Sequence, residues 1–153
     1  GAADLLINDA GRREYGPFEE ADADVYDAVV RANLLGVVYC NKAILPRMLA
    51  RGRERLVFIS SIIGKLLLPS HDIYSATKFA VNGLPESLEI GCARICVLSR
   101  RAGLVRSQFA AWAGIPRKRF TQIPSMSAAA VARAIVQAIA AGKRKGVPDL
   151  FAH

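Results

Sequence analysis

Apolar residues fall into two patterns along this chain. Short continuous runs occur at Ala3 to Asn8 (ADLLIN), Leu56 to Ser60 (LVFIS) and Arg94 to Ser99 (RICVLS). They are closed by Asp9-Ala10-Gly11, by a Gly64-containing loop with Pro69, and by a turn at Ala102-Gly103, which predicts buried parallel strands. Elsewhere the apolar positions recur at helical spacing. Past a loop with Gly16 and Pro17, the series Val25, Val29, Val30, Leu34, Val37, Val38, Ile44, Leu45, Met48 and Leu49 predicts a long helix. Asp22 is its candidate cap, Arg51 its approximate end and Gly52 its stop. Pro46 lies inside this pattern and is expected to kink the helix or bring its end forward. A second helix is predicted from about Asp72 to Glu89, and a third over Met126 to Ala141 with Ser127 as cap and Gly142 as stop. Val147 to Phe151 is a candidate last short strand.

Strands alternating with long helices predict an α/β fold, a doubly wound parallel sheet covered on both faces. With 153 residues, one domain spanning 1–153 is the expectation. Composition agrees: 52% hydrophobic and 22% charged residues, with mean hydropathy +0.24, suit a packed core and not a disordered chain. No uninterrupted apolar run approaches the roughly 20 residues of a bilayer span, and no basic segment precedes the first apolar stretch. A soluble, cytosolic protein with no membrane partner is expected.

Cys40, Cys92 and Cys96, with His71 and His153 the only histidines, give neither a zinc spacing nor an even disulfide set. No metal site is expected. The net charge of +8 raises the question of nucleic acid. The basic residues, however, lie in scattered clusters such as Arg51, Arg53 and Arg55 or Arg117, Lys118 and Arg119, none interleaved with aromatics as a base-stacking surface would be. Solvated loops and helix ends are the preferred reading; a phosphorylated cofactor or substrate is the alternative.

In YSATK, Tyr74 and Lys78 stand four residues apart in a predicted helix and so share one face. A phenol ordinarily ionises near pH 10, and a neighbouring ammonium is expected to lower that value. The position early in the helix adds a smaller push the same way. Such a tyrosine could pass a proton to or from a substrate oxygen. Ser61, thirteen residues upstream and just past a predicted strand, lies at the sheet edge where ligands bind in this architecture, and could polarise the same oxygen. A Tyr-x-x-x-Lys pair alone is weak evidence, since most such pairs lie on surfaces.

Its company is more specific. INDAG at Ile7 to Gly11 resembles the NNAG turn of the short-chain dehydrogenase/reductase family. RANLLG places Asn33 where that family has its helix asparagine, and ISSIIG and YSATKFAVNG resemble its serine and tyrosine segments. The resemblance covers most of the chain. It implies a partial Rossmann-like sheet and an oxidoreductase that interconverts a carbonyl and an alcohol, with NAD or NADP carrying the hydride. By the same resemblance Tyr74 is the general acid/base, Lys78 lowers its pKa and binds the nicotinamide ribose, and Ser61 positions the carbonyl. Asn33 would hold a water in a relay towards Lys78; the competing reading is a polar residue satisfying backbone groups at a helix kink. Asn8, Ala10 and Gly11 would line the adenosine side of the cleft, and Gly103, Val105 and Ser107, in AGLVRS, its carboxamide end. The two long helices are those the family uses to pair subunits, so a homo-oligomer is expected.

The chain also departs from the family. No glycine-rich phosphate loop of the G-x-G-x-x-G or TGxxxGxG kind is found in the 153 residues, which look like the C-terminal two-thirds of such an enzyme with its first strands missing. NAD or NADP is therefore expected to bind weakly, and the chain alone to be inactive. The segment from Asp4 to Asn8 would form an exposed apolar edge. Asp9 adds a negative charge beside the cofactor position. Ala102 replaces a proline, and Arg100-Arg101 looks like an insertion that displaces the next loop. Pro85 lies inside the helix carrying Tyr74, where it costs about 3 kcal/mol unless the helix bends or ends. The alternative reading is a non-catalytic remnant that serves as a dimerisation module. Phe109, Trp112, Ile115 and Phe120 suggest a hydrophobic substrate without naming one.

Overall fold

The structure, a computed structural model, describes residues 3–52, 55–65, 68–92, 96–103, 105–106 and 125–142. Strands β1 (Leu5–Asn8), β2 (Arg55–Ser61) and β3 (Cys96–Ala102) form a parallel sheet in the order β1-β2-β3. Short strands β4 (Val105–Arg106) and β5 (Met126–Ser127) pair separately, also in parallel. The central strand is buried on both faces, which is why it reads as a continuous apolar run and not as an alternation.

Register sorts the sheet's side chains. Leu6, Leu56 and Val97 pair across the strands, and Leu56, Phe58 and Val97 join Val37, Met48 and Val81 in one core cluster. Val57 and Leu98, one position further along, turn to the opposite face and meet Ala138, with Ile135 and Ile139 packed beside it. Helices therefore cover both faces, as a doubly wound sheet requires.

The first long helix is continuous but not uniform. It runs as α1 (Ala23–Val30), a π-helical turn (Arg31–Leu35) and α2 (Gly36–Arg51). Pro46 lies inside α2 and does not bring its end forward. Pro46 and Lys42 are both exposed, so the carbonyl freed at Lys42 lies on the solvent side. Gly52 ends the helix in the left-handed region at φ 73°, its N–H donating to the Met48 carbonyl at 2.9 Å. The stretch Ala23–Arg51 is long and apolar enough to cross a membrane. In the fold, Val29, Asn33, Val37, Asn41 and Met48 point inward from it at helical spacing, which marks a core-facing stripe.

Helix α3 (Asp72–Gly91) also passes through its proline without interruption, and Pro85 is buried among core residues. Helix α4 (Ala128–Ala140) starts where Ser127 caps it by accepting from the Ala130 N–H at 3.2 Å. One strand boundary needs correction. The third strand does not stop at Ser99: Arg100, Arg101 and Ala102 pair with Ile59, Ser60 and Ser61. The two arginines extend β3 and do not form an inserted loop. The region before Cys96 and the tail strand expected at Val147 to Phe151 lie outside the described residues.

Candidate active site at the C-terminal end of the sheet

Ser61 is the last residue of β2, and Tyr74 and Lys78 occupy the first turns of α3. The helix is tied to the strand where they meet. The Ser60 hydroxyl donates to the Lys78 carbonyl at 3.2 Å, and the Asn82 amide donates to the Gly64 carbonyl at 2.8 Å. A Cβ on Gly64 would lie 2.8 Å from the Lys78 carbonyl oxygen, so only glycine permits this approach. The spacing of Ser61 and Tyr74 thus reflects a loop drawn tightly back against the helix.

Asn33, 1% exposed, sits in the π-helical turn and faces the loop after β1. Its Oδ1 accepts from the Arg12 N–H at 2.7 Å, and its Nδ2 donates to the Arg12 carbonyl at 2.9 Å and to Thr77 Oγ1 at 3.0 Å. Thr77 in turn donates to the Tyr74 carbonyl at 2.8 Å. Asn33 therefore joins the loop after β1 to the helix bearing Tyr74. Two of the three bonds of its side chain satisfy backbone groups of Arg12, and the third reaches a side-chain hydroxyl. A π turn at such a place is a frequent mark of functional helices.

Tyr74 is 5% exposed and hydrogen-bonded by the Ser61 hydroxyl. Lys78 Nζ stands 5.6 Å from the ring centroid and donates to the Ile59 carbonyl at 3.2 Å. Burial pushes Lys78 down to about 8, with the Asp9 carboxylate acting against that. The expectation of a lowered Tyr74 phenol is reversed: burial raises it, and the carboxylates of Glu14 and Asp9 add to the rise. The Ser61 hydrogen bond and the Arg13 guanidinium oppose that rise. Desolvation wins because removing the phenolate from water costs more than those partners return.

Three residues that sequence reasoning passed over enclose this tyrosine. Glu14, buried although sixty residues away, accepts from the Tyr74 backbone N–H through both carboxylate oxygens at 2.9 and 3.1 Å. His71, at the N-cap of α3, makes no side-chain cap, so this distant carboxylate satisfies an open N–H of the first turn. Arg13 lies over the Tyr74 ring, 5.4 Å from guanidinium carbon to centroid, and donates to His71 Nε2 at 2.7 Å. The sequence signal was slight: a charged run, Arg12, Arg13 and Glu14, directly after the INDAG turn.

The other expected positions divide. Asn8 is buried; its Nδ2 donates to the Val57 carbonyl at 3.2 Å and its Oδ1 accepts from Asn41 at 2.9 Å. Both polar atoms of its side chain are thus engaged with the scaffold. Ala10 is exposed and Gly11 half-buried beside the helix that carries Lys78. A Cβ on Gly11 would lie 3.2 Å from Asn33 Oδ1, a tight contact, and 3.8 Å from Lys78 Nζ, an ordinary one, so Gly11 lies directly beside both groups. Gly103 and Val105 follow the end of β3 and are half-buried; Ser107 lies outside the described residues. Among the described residues, no group of three or more His, Cys, Asp or Glu side chains is placed to hold a metal.

The donor set fits the ribose end of a nicotinamide nucleotide. Lys78 has three N–H donors and, among the described residues, bonds one carbonyl. The remaining donors lie beside the small residue Gly11, where a sugar hydroxyl can approach.

The short chain dehydrogenase family profile matches residues 1–114. Mouse (Mus musculus) 17-beta-hydroxysteroid dehydrogenase type 1 is 40% identical over 90 residues, which cover 59% of this chain and 26% of that protein. Oxidoreductase BOA17 of Botryotinia fuckeliana is 33% identical over 129 residues, 83% of this chain and 44% of its own. A short-chain dehydrogenase from Sphingobium yanoikuyae in complex with NADPH superposes with a TM-score of 0.88 over 97% of this chain and 58% of that one, at 24% identity. The chain thus spans less than half the length of these two curated relatives.

Proposed function

The chain belongs to the short-chain dehydrogenase family, and on that premise we propose that it interconverts a carbonyl and an alcohol, with Tyr74 as the general acid/base. The observation that carries this is the convergence of Ser61, Tyr74 and Lys78 at one end of the sheet, with Asn33 fixing the loop opposite. A bound NAD or NADP would accept or supply the hydride. In reduction Tyr74 Oη gives its proton to the carbonyl oxygen, and in oxidation it takes the hydroxyl proton back. Ser61 orients that oxygen, and Lys78 holds the ribose and supports the phenolate. The likeness to a hydroxysteroid dehydrogenase supports a hydrophobic substrate.

The same reading includes weak cofactor binding by these 153 residues alone, because they contain no glycine-rich loop to receive the pyrophosphate. Activity is therefore to be measured with a hydrophobic ketone at millimolar NADPH. Slow cofactor oxidation should fall about 100-fold or more in Tyr74→Phe. An unchanged rate in that variant would remove Tyr74 from the chemistry, and a micromolar dissociation constant by calorimetry would refute weak binding.

A second reading, a dimerisation module built on the long helices, draws on a different observation. Tyr39 on α2 and Phe79 and Ile90 on α3 are 62%, 44% and 86% exposed. Such surface suits subunit pairing. A stable dimer without turnover would favour this module, and both together would fit a paired enzyme.

A further inference from the structure

Arg13 sits over Tyr74 for a reason that the ring nitrogens of His71 make explicit. Arginine carries only donors, so His71 Nε2 must accept from it at 2.7 Å. The Glu14 carbonyl only accepts, so His71 Nδ1, 3.1 Å away, must donate. Both bonds form only in the neutral imidazole with its proton on Nδ1. That imidazole is 4% exposed and tilted against the Tyr15 ring at 5.3 Å between centroids. Glu14 closes the arrangement from the other side, its main chain holding His71 and its carboxylate holding the Tyr74 N–H.

We infer that Arg13 is a positioning residue for the acid/base chemistry, a second cation held over the Tyr74 ring by neutral His71 so that the phenolate is favoured. This rests on the reading of Tyr74 as the proton-transfer group. Among the described residues the charged groups facing Tyr74 are Arg13, Glu14 and Asp9 from the loop after β1 and Lys78 from α3, with Ser61 from β2. With Lys78 pushed down to about 8, its charge fades at alkaline pH; burial lowers Arg13 as well, with Tyr74 and Glu14 acting against this, but a guanidinium starts from a much higher value and outlasts the ammonium. Arg13 is thus the more durable cation over the ring.

The device also has an acid limit. The charged groups facing His71 are Arg13, which with burial holds its pKa down, and Glu14 and Asp72, which act against this. Protonating Nε2 would set a donor against the guanidinium and break the contact that holds Arg13 in place.

The test reads the phenol directly in the full chain. Tyrosine is replaced biosynthetically by 3,5-difluorotyrosine, whose phenol ionises well below tyrosine's, and each ring is followed by fluorine NMR against pH. Tyr74→Phe identifies the resonance. In Arg13→Met the Tyr74 phenol should become about threefold to tenfold weaker as an acid; Arg13→Lys should recover part of that, and His71→Leu should show an intermediate loss. Midpoints that agree within about 0.2 pH units between the parent chain and both Arg13→Met and His71→Leu would overturn the inference, with circular dichroism verifying the fold. If Arg13→Met does not fold, the comparison of Arg13→Lys and His71→Leu with the parent decides in the same way. Turnover is not needed for this measurement, so an inactive chain would defeat the proposed function and leave this result interpretable.

Discussion

On the sheet face covered by α2 and α3, Leu56 and Phe58 are fully buried, and the covering continues to Leu6 at the edge of the sheet. On the face covered by α4, Val57 and Leu98 are buried as well, but Leu5 and Ile7 of β1 remain 39% and 45% exposed. The same three strands thus present one finished face and one unfinished face. The helix bearing Tyr74 and Lys78 lies on the finished side, so the geometry of the candidate site rests on packing complete within the described residues. The unfinished face begins at β1, which among the described residues has only β2 as a neighbour in its sheet.

The largest test of this contrast is truncation on each side. Phe58→Ala removes a fully buried ring from the finished face and should destabilise the fold by about 3–5 kcal/mol in urea denaturation. Ile7→Ala, on the other face, should cost less than about 1 kcal/mol. Equal losses would show that the two faces are energetically alike and would remove the distinction.

A smaller effect of opposite sign is expected at the site itself. Lys78 has a folded pKa of about 8 against an ordinary 10.5, because burial disfavours its charge. The unfolded chain therefore binds more protons between those values, and stability from this group rises with pH across that window. Below it, the buried ammonium is a full penalty. Lys78→Met should stabilise the fold by about 1–3 kcal/mol at pH 7 and flatten the alkaline rise, while any carbonyl reduction is lost. Denaturation midpoints at pH 7 and pH 10 for parent and variant are the measurement. A less stable variant at pH 7 would mean that the bond to Ile59 outweighs the desolvation of the charge.

Much of this was legible in the sequence, and the reason is spacing. Leu56 to Ser60 could be read as a buried strand because a strand covered on both faces needs no polar alternation, and Tyr74 and Lys78 because helical periodicity puts positions four apart together. The parallel, two-sided character of the sheet followed from alternation with helices. The sequence could not reveal the contacts made across long separations. Glu14 reaches Tyr74 over sixty residues, and its burial depends on finding an unsatisfied helix N–H that no local pattern marks. Asn8 was assigned to the cleft by its place in a motif, whereas the pleat turns it towards Asn41. The direction of the Tyr74 shift was misjudged because proximity of a charge is visible in sequence and the depth of burial is not. Both prolines were weighted by local propensity, yet the helices run through them, Pro46 on an exposed side and Pro85 in a buried position.

The smallest expected change in stability is at the open edge, and there a different quantity responds. Ile7 is 45% exposed, outside the cluster in which α4 packs on β2 and β3, and among the described residues β1 pairs with β2 alone. A lysine at this position keeps the backbone bonds to β2 and exchanges apolar surface already in contact with water for a solvated charge, so unfolding free energy should change by less than about 0.5 kcal/mol. An exposed apolar strand edge is nevertheless a template for pairing with another chain, and a charge on it is the usual obstacle to such pairing. Ile7→Lys should therefore reduce self-association, read as a fall in weight-average mass by light scattering across a concentration series, while Phe79→Lys on α3 tests pairing through the helices. If only the helix variant lowers the mass, association runs through α2 and α3, and the open edge of β1 is not used; if only Ile7→Lys does, the unfinished face is the adhesive one.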